Sequence, residues 1–115
     1  MTPDDFRRLA LALPEATQGS HMGHVDFRIR GKIFATLGYP DVTCGMVRLT
    51  QAEQEARIAA EPSTFRPVKG PWGAKGDTNV ILAPADEAVV TGALTSAWLI
   101  MAPTTLARAF REGRL

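Results

Sequence analysis

His21, His24 and Asp26 fall within six residues, in "HMGHVD", and are the first groups in the chain whose types suggest chemistry. Two imidazoles and a carboxylate are in principle a three-ligand metal site. The spacing argues otherwise: metal-binding histidine pairs usually sit at i, i+4 on a helix, and Gly23 breaks any helix here. The simpler reading is a loop histidine plus one that caps the following strand. No metal or cofactor is expected, and His21 and His24 are the only candidates for one. Cys44 is the single cysteine. As a nucleophile it would need a base and an oriented partner, and nothing in the linear sequence marks either. Beside Val42 and Met46 it reads as a small buried hydrophobe in a strand. Helix starts and solvated faces account for nearly all of Glu15, Asp26, Asp41, Glu53, Glu55 and Glu61. No GxSxG, HExxH or paired-carboxylate signature is present, so no catalytic residue is expected.

The stretch "RPVKGPWGAKGDTNV", Arg66 to Val80, gathers glycines, lysines and a tryptophan. A phosphate-binding loop needs Gly-Lys-Ser/Thr leading into a helix. Here the order is Lys75–Gly76, Asp77 follows, and the next residues read as a strand. A dinucleotide fingerprint fails for the same reason. Two readings remain. One is a long hairpin loop with Trp72 folded back on the sheet as a lid. The other is a projecting basic wing, in which Arg66, Lys69 and Lys75 bring charge and Trp72 stacks on a base. Arg28, Arg30 and Lys32 form a second basic cluster around the first hairpin. A shared basic surface results if both loops leave the same edge of the sheet.

Composition narrows the class. A chain of 115 residues makes one domain, residues 1–115, that buries roughly two thirds of its unfolded surface. Thirteen basic residues oppose twelve acidic ones, whereas dedicated nucleic-acid binders are usually strongly basic. One cysteine excludes an internal disulfide and suits a reducing compartment. The start of the chain, with Asp4 and Asp5, does not read as a signal peptide, and "AVVTGALTSAWLIMA" is too short and polar to span a bilayer. The expectation is a cytoplasmic bacterial protein with no membrane partner.

The elements that must position these residues follow from the pattern. Thr2, Pro3, Asp4 and Asp5 start a helix whose apolar face is Phe6, Leu9, Ala10 and Leu13, ended by Pro14. Residues 15 to 23 read as a loop. Val25, Phe27 and Ile29 alternate with polar residues as a strand. Gly31 then turns the chain into "KIFATLGY", which sets Phe27 opposite Phe34 if the turn is two residues long. "VTCGMVRL" completes a meander. Thr50 and Glu53 open a helix to Pro62, with Ala52, Ala56, Ala59 and Ile58 as its thin apolar stripe. "FRPV" and "TNVILA" are strands. A helix follows with Val90, Leu94, Ala97, Trp98 and Met101 on one face. After Pro103, Thr104 or Thr105 caps one or two further turns. The result is an α+β domain with helices packed on one face of an antiparallel sheet.

Three blocks, "LALPEATQGSHMGHVDFRIRGKIFATL", "PWGAKGDTNVIL" and "SAWLIMAPTTL", together resemble the MmcQ/YjbR family of small bacterial proteins. The resemblance runs from about Phe6 to Leu106. It rests on Phe27, Arg28, Gly31, Lys32, Phe34 and Ala35, then Trp72, Gly73 and Gly76, then Ala97, Trp98, Ala102, Pro103 and Leu106. It implies an α-β(3)-α-β(2)-α fold similar to secretion-chaperone-like domains, and a DNA-binding, non-enzymatic role. Asp77, which stands where many relatives carry another residue, offsets Lys75. Three functions are thereby open. The first is a DNA-binding module that uses Arg28, Arg30, Lys32, Lys69, Trp72 and Lys75. The second is a protein-interaction module of chaperone-like dimers, which needs an exposed apolar patch. The third is an enzyme or small-ligand binder built on His21, His24 and Trp72, which needs a deep pocket beside them.

Overall fold

The computed structural model describes all of residues 1–115. Helix α1 (Pro3–Leu11) starts at a reciprocal cap: Thr2 Oγ1 accepts from the Asp5 amide and the Asp5 carboxylate accepts from the Thr2 amide. Strands β1 (Ala16–His21), β2 (His24–Ile29), β3 (Lys32–Leu37) and β4 (Cys44–Arg48) follow. Then come α2 (Gln51–Ala60), β5 (Phe65–Pro67), the one-turn helix α3 (Pro71–Ala74), β6 (Asp77–Ile81), α4 (Glu87–Met101) and α5 (Thr104–Arg111). No helix is long and apolar enough to cross a membrane.

The six strands form one antiparallel sheet in the order β1-β2-β3-β4-β6-β5. Register gives the sheet two different faces. Phe27, Ala35, Val47 and Thr78 lie in one cross-strand row, all buried, beneath α1 and α4. At Gly45 a β-carbon would come within 2.8 Å of the Phe6 ring, so this glycine lets α1 lie close on β4. Trp98 closes the core from α4, with its indole N–H donating to the Pro14 carbonyl at 3.0 Å. The adjacent row, Asp26, Thr36, Met46 and Asn79, points away from these helices by the alternation of strand side chains.

Several expectations are corrected. Residues 16–21 are a strand and not a loop, and Pro71–Ala74 form one helical turn within the stretch read as a hairpin loop, so the order is α-β(4)-α-β-α-β-α-α. "ATQGSH" has no apolar alternation to announce a strand; its pairing comes from β2 alone. Arg30 and Gly31 do form the two-residue turn, both at positive φ. A bulge leaves Phe34 unpaired, however, and Phe27 opposes Ala35. β4 begins at Cys44, and Val42 lies in the preceding loop with 78% of its surface exposed. The alanines of α2 face solvent; its buried residue is Gln54. Pro103 rather than a threonine occupies the N-cap of α5.

Gln54 explains that inversion. Its amide donates to the carbonyls of Gly73 and Asp77, both at 3.0 Å, and Gln51 reaches the carbonyl of Ala74. The loop it holds is packed against backbone: a β-carbon at Gly73 would sit 1.6 Å from the Val68 carbonyl oxygen. Gly73→Ala is therefore expected to lower stability by at least about 2 kcal/mol, since the obstacle is backbone that cannot step aside. Gly92 lies inside α4, where an added methyl meets only the Arg57 guanidinium at 3.5 Å. Gly92→Ala should raise stability by about 0.5–1 kcal/mol through helix propensity. Paired urea unfolding curves check both signs.

Candidate functional site

The open face is organised around Asp26, a carboxylate with no solvent exposure. Arg28 grips it at two points, Nε to Oδ1 at 2.7 Å and a terminal nitrogen to Oδ2 at 2.9 Å. His21 Nδ1 lies 2.8 Å from Oδ2. Arg28 also donates to the Ser20 carbonyl at 3.3 Å, so the group ties β1 to β2. The pair lies directly over Gly19, where a β-carbon would come within 2.9 Å of both side chains. The Arg28 hydrogen bonds hold the Asp26 carboxyl below its ordinary range, with a smaller contribution from His21, and outweigh the opposing effect of burial. An ionised Asp26 only accepts, so neutral His21 carries its proton on Nδ1 and turns the lone pair of Nε2 outward.

This network redefines the basic cluster. Arg28 is committed to Asp26, and Arg30 makes a two-point pair with Glu15 at 2.9 and 3.0 Å. Lys32, Lys69 and Lys75 are exposed and have no carboxylate partner. The Lys75 ammonium sits 5.5 Å from the centre of the Trp72 ring. The Arg30–Gly31 turn and the 68–76 loop leave the same end of the sheet, separated by the strands between them. Asp77 does not chiefly offset Lys75: its partner is Arg48, whose Nε donates to it at 3.3 Å. Burial raises the Asp77 carboxyl above its ordinary value, and Arg48 recovers only part of that cost.

Between these groups lies a cleft of about 510 Å³. His21, Met22, His24 and Tyr39 form one end, at the β1–β2 turn and the loop after β3. Arg48, Asp77, Val68 and Trp72 form the other, with Ile33, Thr36 and Met46 as the floor. The His24 and Tyr39 rings meet edge to face with centroids 5.7 Å apart. Trp72 stands on α3 with 59% of its surface exposed, so it walls the cleft and does not cover it.

Residues 11–100 match the YjbR family. The chain belongs to the YjbR family. Among solved structures, the crystal structure of Deinococcus radiodurans protein DR2400, with its DUF419 domain, superimposes at a TM-score of 0.69. That match covers 86% of this chain and 77% of the other at 17% identity, a likeness that speaks for the fold alone. No curated protein matches.

Of the residues singled out from sequence, this YjbR domain brings His21, His24 and Trp72 to one cleft and leaves Arg28, Arg30, Lys32, Lys69 and Lys75 outside its lining. His21, His24 and Asp26 do not assemble a metal site: no group of three His, Cys, Asp or Glu side chains is placed to hold an ion. Cys44 is free and buried, the hydrophobe expected of it. Tyr39, Thr36, Met46 and Arg48 were missed. Strand alternation from Met46 to Arg48 is the one signal that could have put two of them on a shared face.

The two acids are expected to respond oppositely to pH. Asp26 is depressed, so its stabilisation is complete above the unfolded value near 3.8 and is lost as pH falls through the folded one. Asp26→Asn should cost about 1–3 kcal/mol at neutral pH, limited by the partial exposure of Arg28 and His21, with the gap to wild type closing in acid. Asp77 is raised, so its penalty is absent below 3.8 and grows as pH climbs from there to the folded value. Asp77→Asn should therefore gain on wild type as pH rises from about 4. Urea unfolding of the three proteins across acid to neutral pH checks both directions.

Proposed function

We propose that this YjbR domain is a small-molecule-binding module whose ligand lies across the open face of the sheet. The observation that carries this reading is the cleft itself, of about 510 Å³, with aromatic walls at Tyr39 and Trp72 and polar groups at both ends. That is within the range of sites that enclose organic ligands, mostly apolar with a few convergent polar groups. Of the seven exposed large apolar side chains, Met22, Tyr39 and Trp72 converge on this cleft, which supports a ligand held there. DNA contact draws support from Lys32, Lys69 and Lys75 at one end of the sheet. It is weakened by the carboxylate pairs that occupy Arg28 and Arg30.

The dye 8-anilinonaphthalene-1-sulfonate provides a probe with an aromatic body and one fixed charge. It is expected to bind at one saturable site and to raise the thermal midpoint as its concentration increases, as a ligand of the native state must. Tyr39→Ala and Trp72→Ala, both at exposed positions, should each weaken it by about fivefold or more. A 20-base-pair duplex at low salt should leave the dye in place. Absence of saturable binding, or displacement of the dye by duplex, would contradict the proposal.

A further inference from the structure

We propose that the cleft's occupant is an organic anion whose acidic group sits against His21, and that binding places a proton on that imidazole. The inference depends on the cleft's being a ligand site and names the chemistry its ligand must have.

Most of the charged groups around the cleft are already matched. At one end Arg48 and Asp77 form a pair and neutralise each other. At the other, the charge of Asp26 is met by Arg28 through two hydrogen bonds. His21 is not needed for that balance. Its Nδ1 is fixed by the 2.8 Å contact to Asp26, its ring is 40% exposed, and Nε2 has no hydrogen-bond partner in the fold. A neutral ring in this orientation offers a lone pair, and the ring cannot turn Nε2 inward without giving up the contact to Asp26. An anion placed there brings a proton with it, from its own acid form or from solvent. The imidazolium then donates through Nδ1 to Asp26 and through Nε2 to the anion, and the charge gained on the ring matches the charge delivered.

The surroundings favour the apolar body that such an acid would carry. Met22 and Tyr39 flank this end of the cleft, and Thr36 and Met46 lie beneath it. The other titratable groups around the ring are His24 and Tyr39 on the adjoining turn and loop, Asp26 and Arg28 behind it, and Arg48 and Asp77 at the far end. His24 meets Tyr39 edge to face and has no carboxylate behind it, so it lacks the fixed orientation of His21. Asp26 thus acts as a positioning residue, and His21 is the group that touches ligand.

Two dyes with the same body separate this proposal from the reading on which it depends. The sulfonate of 8-anilinonaphthalene-1-sulfonate stays ionised throughout, and N-phenyl-1-naphthylamine lacks it. The sulfonate dye is expected to bind several-fold more weakly at pH 8 than at pH 6, because its binding takes up a proton. The neutral dye should bind equally at both. His21→Gln should flatten the sulfonate dye's pH profile, while His24→Gln should keep it. Equal strength and pH response for both dyes, or an unchanged profile in His21→Gln, would overturn this proposal and leave the cleft standing. Failure of both dyes to bind the native protein would remove the cleft reading and this proposal together.

Discussion

A carboxylate sealed from water is costly unless every oxygen is matched, and Asp26 is matched because Arg28 reaches both of its oxygens, with His21 adding a further contact to one of them. Much of the open face follows from that requirement. The contacts come from β2 itself and from the end of β1, so satisfying the carboxylate also fastens the edge strand. β1 is polar and mostly exposed and brings little apolar surface to hold it in place. Gly19 supplies the space in which the Asp26–Arg28 pair can lie against the strand. The same contacts aim His21 at the cleft, so stability and site geometry share one set of hydrogen bonds.

The opposite end of the cleft is set by a different constraint, close backbone approach. Gly73 and Gly76 lie against the carbonyls of Val68 and Leu49, where no side chain fits, and Gln54 satisfies two carbonyls of the loop from below. α2 contributes a polar clamp where its alanines suggested an apolar stripe. Trp72 is thereby carried on a rigid loop, and a fixed aromatic wall loses little freedom when a ligand stacks on it. With α1 and α4 covering one face of the sheet, the other face is where side chains are free to recognise something.

The helices were legible because they are local. Thr2, Pro3 and Asp5 spell out a cap, and Val90, Leu94, Ala97 and Trp98 keep a helical period that packing respects. The meander was legible from alternation, but its register was not: the bulge that shifts Phe27 to Ala35 leaves no mark in residue types. β1 was illegible because "ATQGSH" is made a strand by Asp26 and Arg28, which lie beyond the following turn. The basic cluster misled for a related reason. Arg30 reads as free charge until Glu15, fifteen residues earlier, is brought beside it. His21 and His24 stand out in the sequence as chemically capable, but the groups that share their cleft, Tyr39, Met46 and Arg48, become neighbours only through strand pairing.

The central claim is that recognition in this YjbR domain takes place on the open sheet face and not at the hairpin tips. Amide chemical-shift mapping during titration with 8-anilinonaphthalene-1-sulfonate tests it most directly. The account predicts that the perturbed amides cluster at residues 21–24, 33–39, 46–48 and 68–77, which surround the cleft. Perturbations confined to the Arg30–Lys32 turn, or spread over α1 and α4, would contradict it.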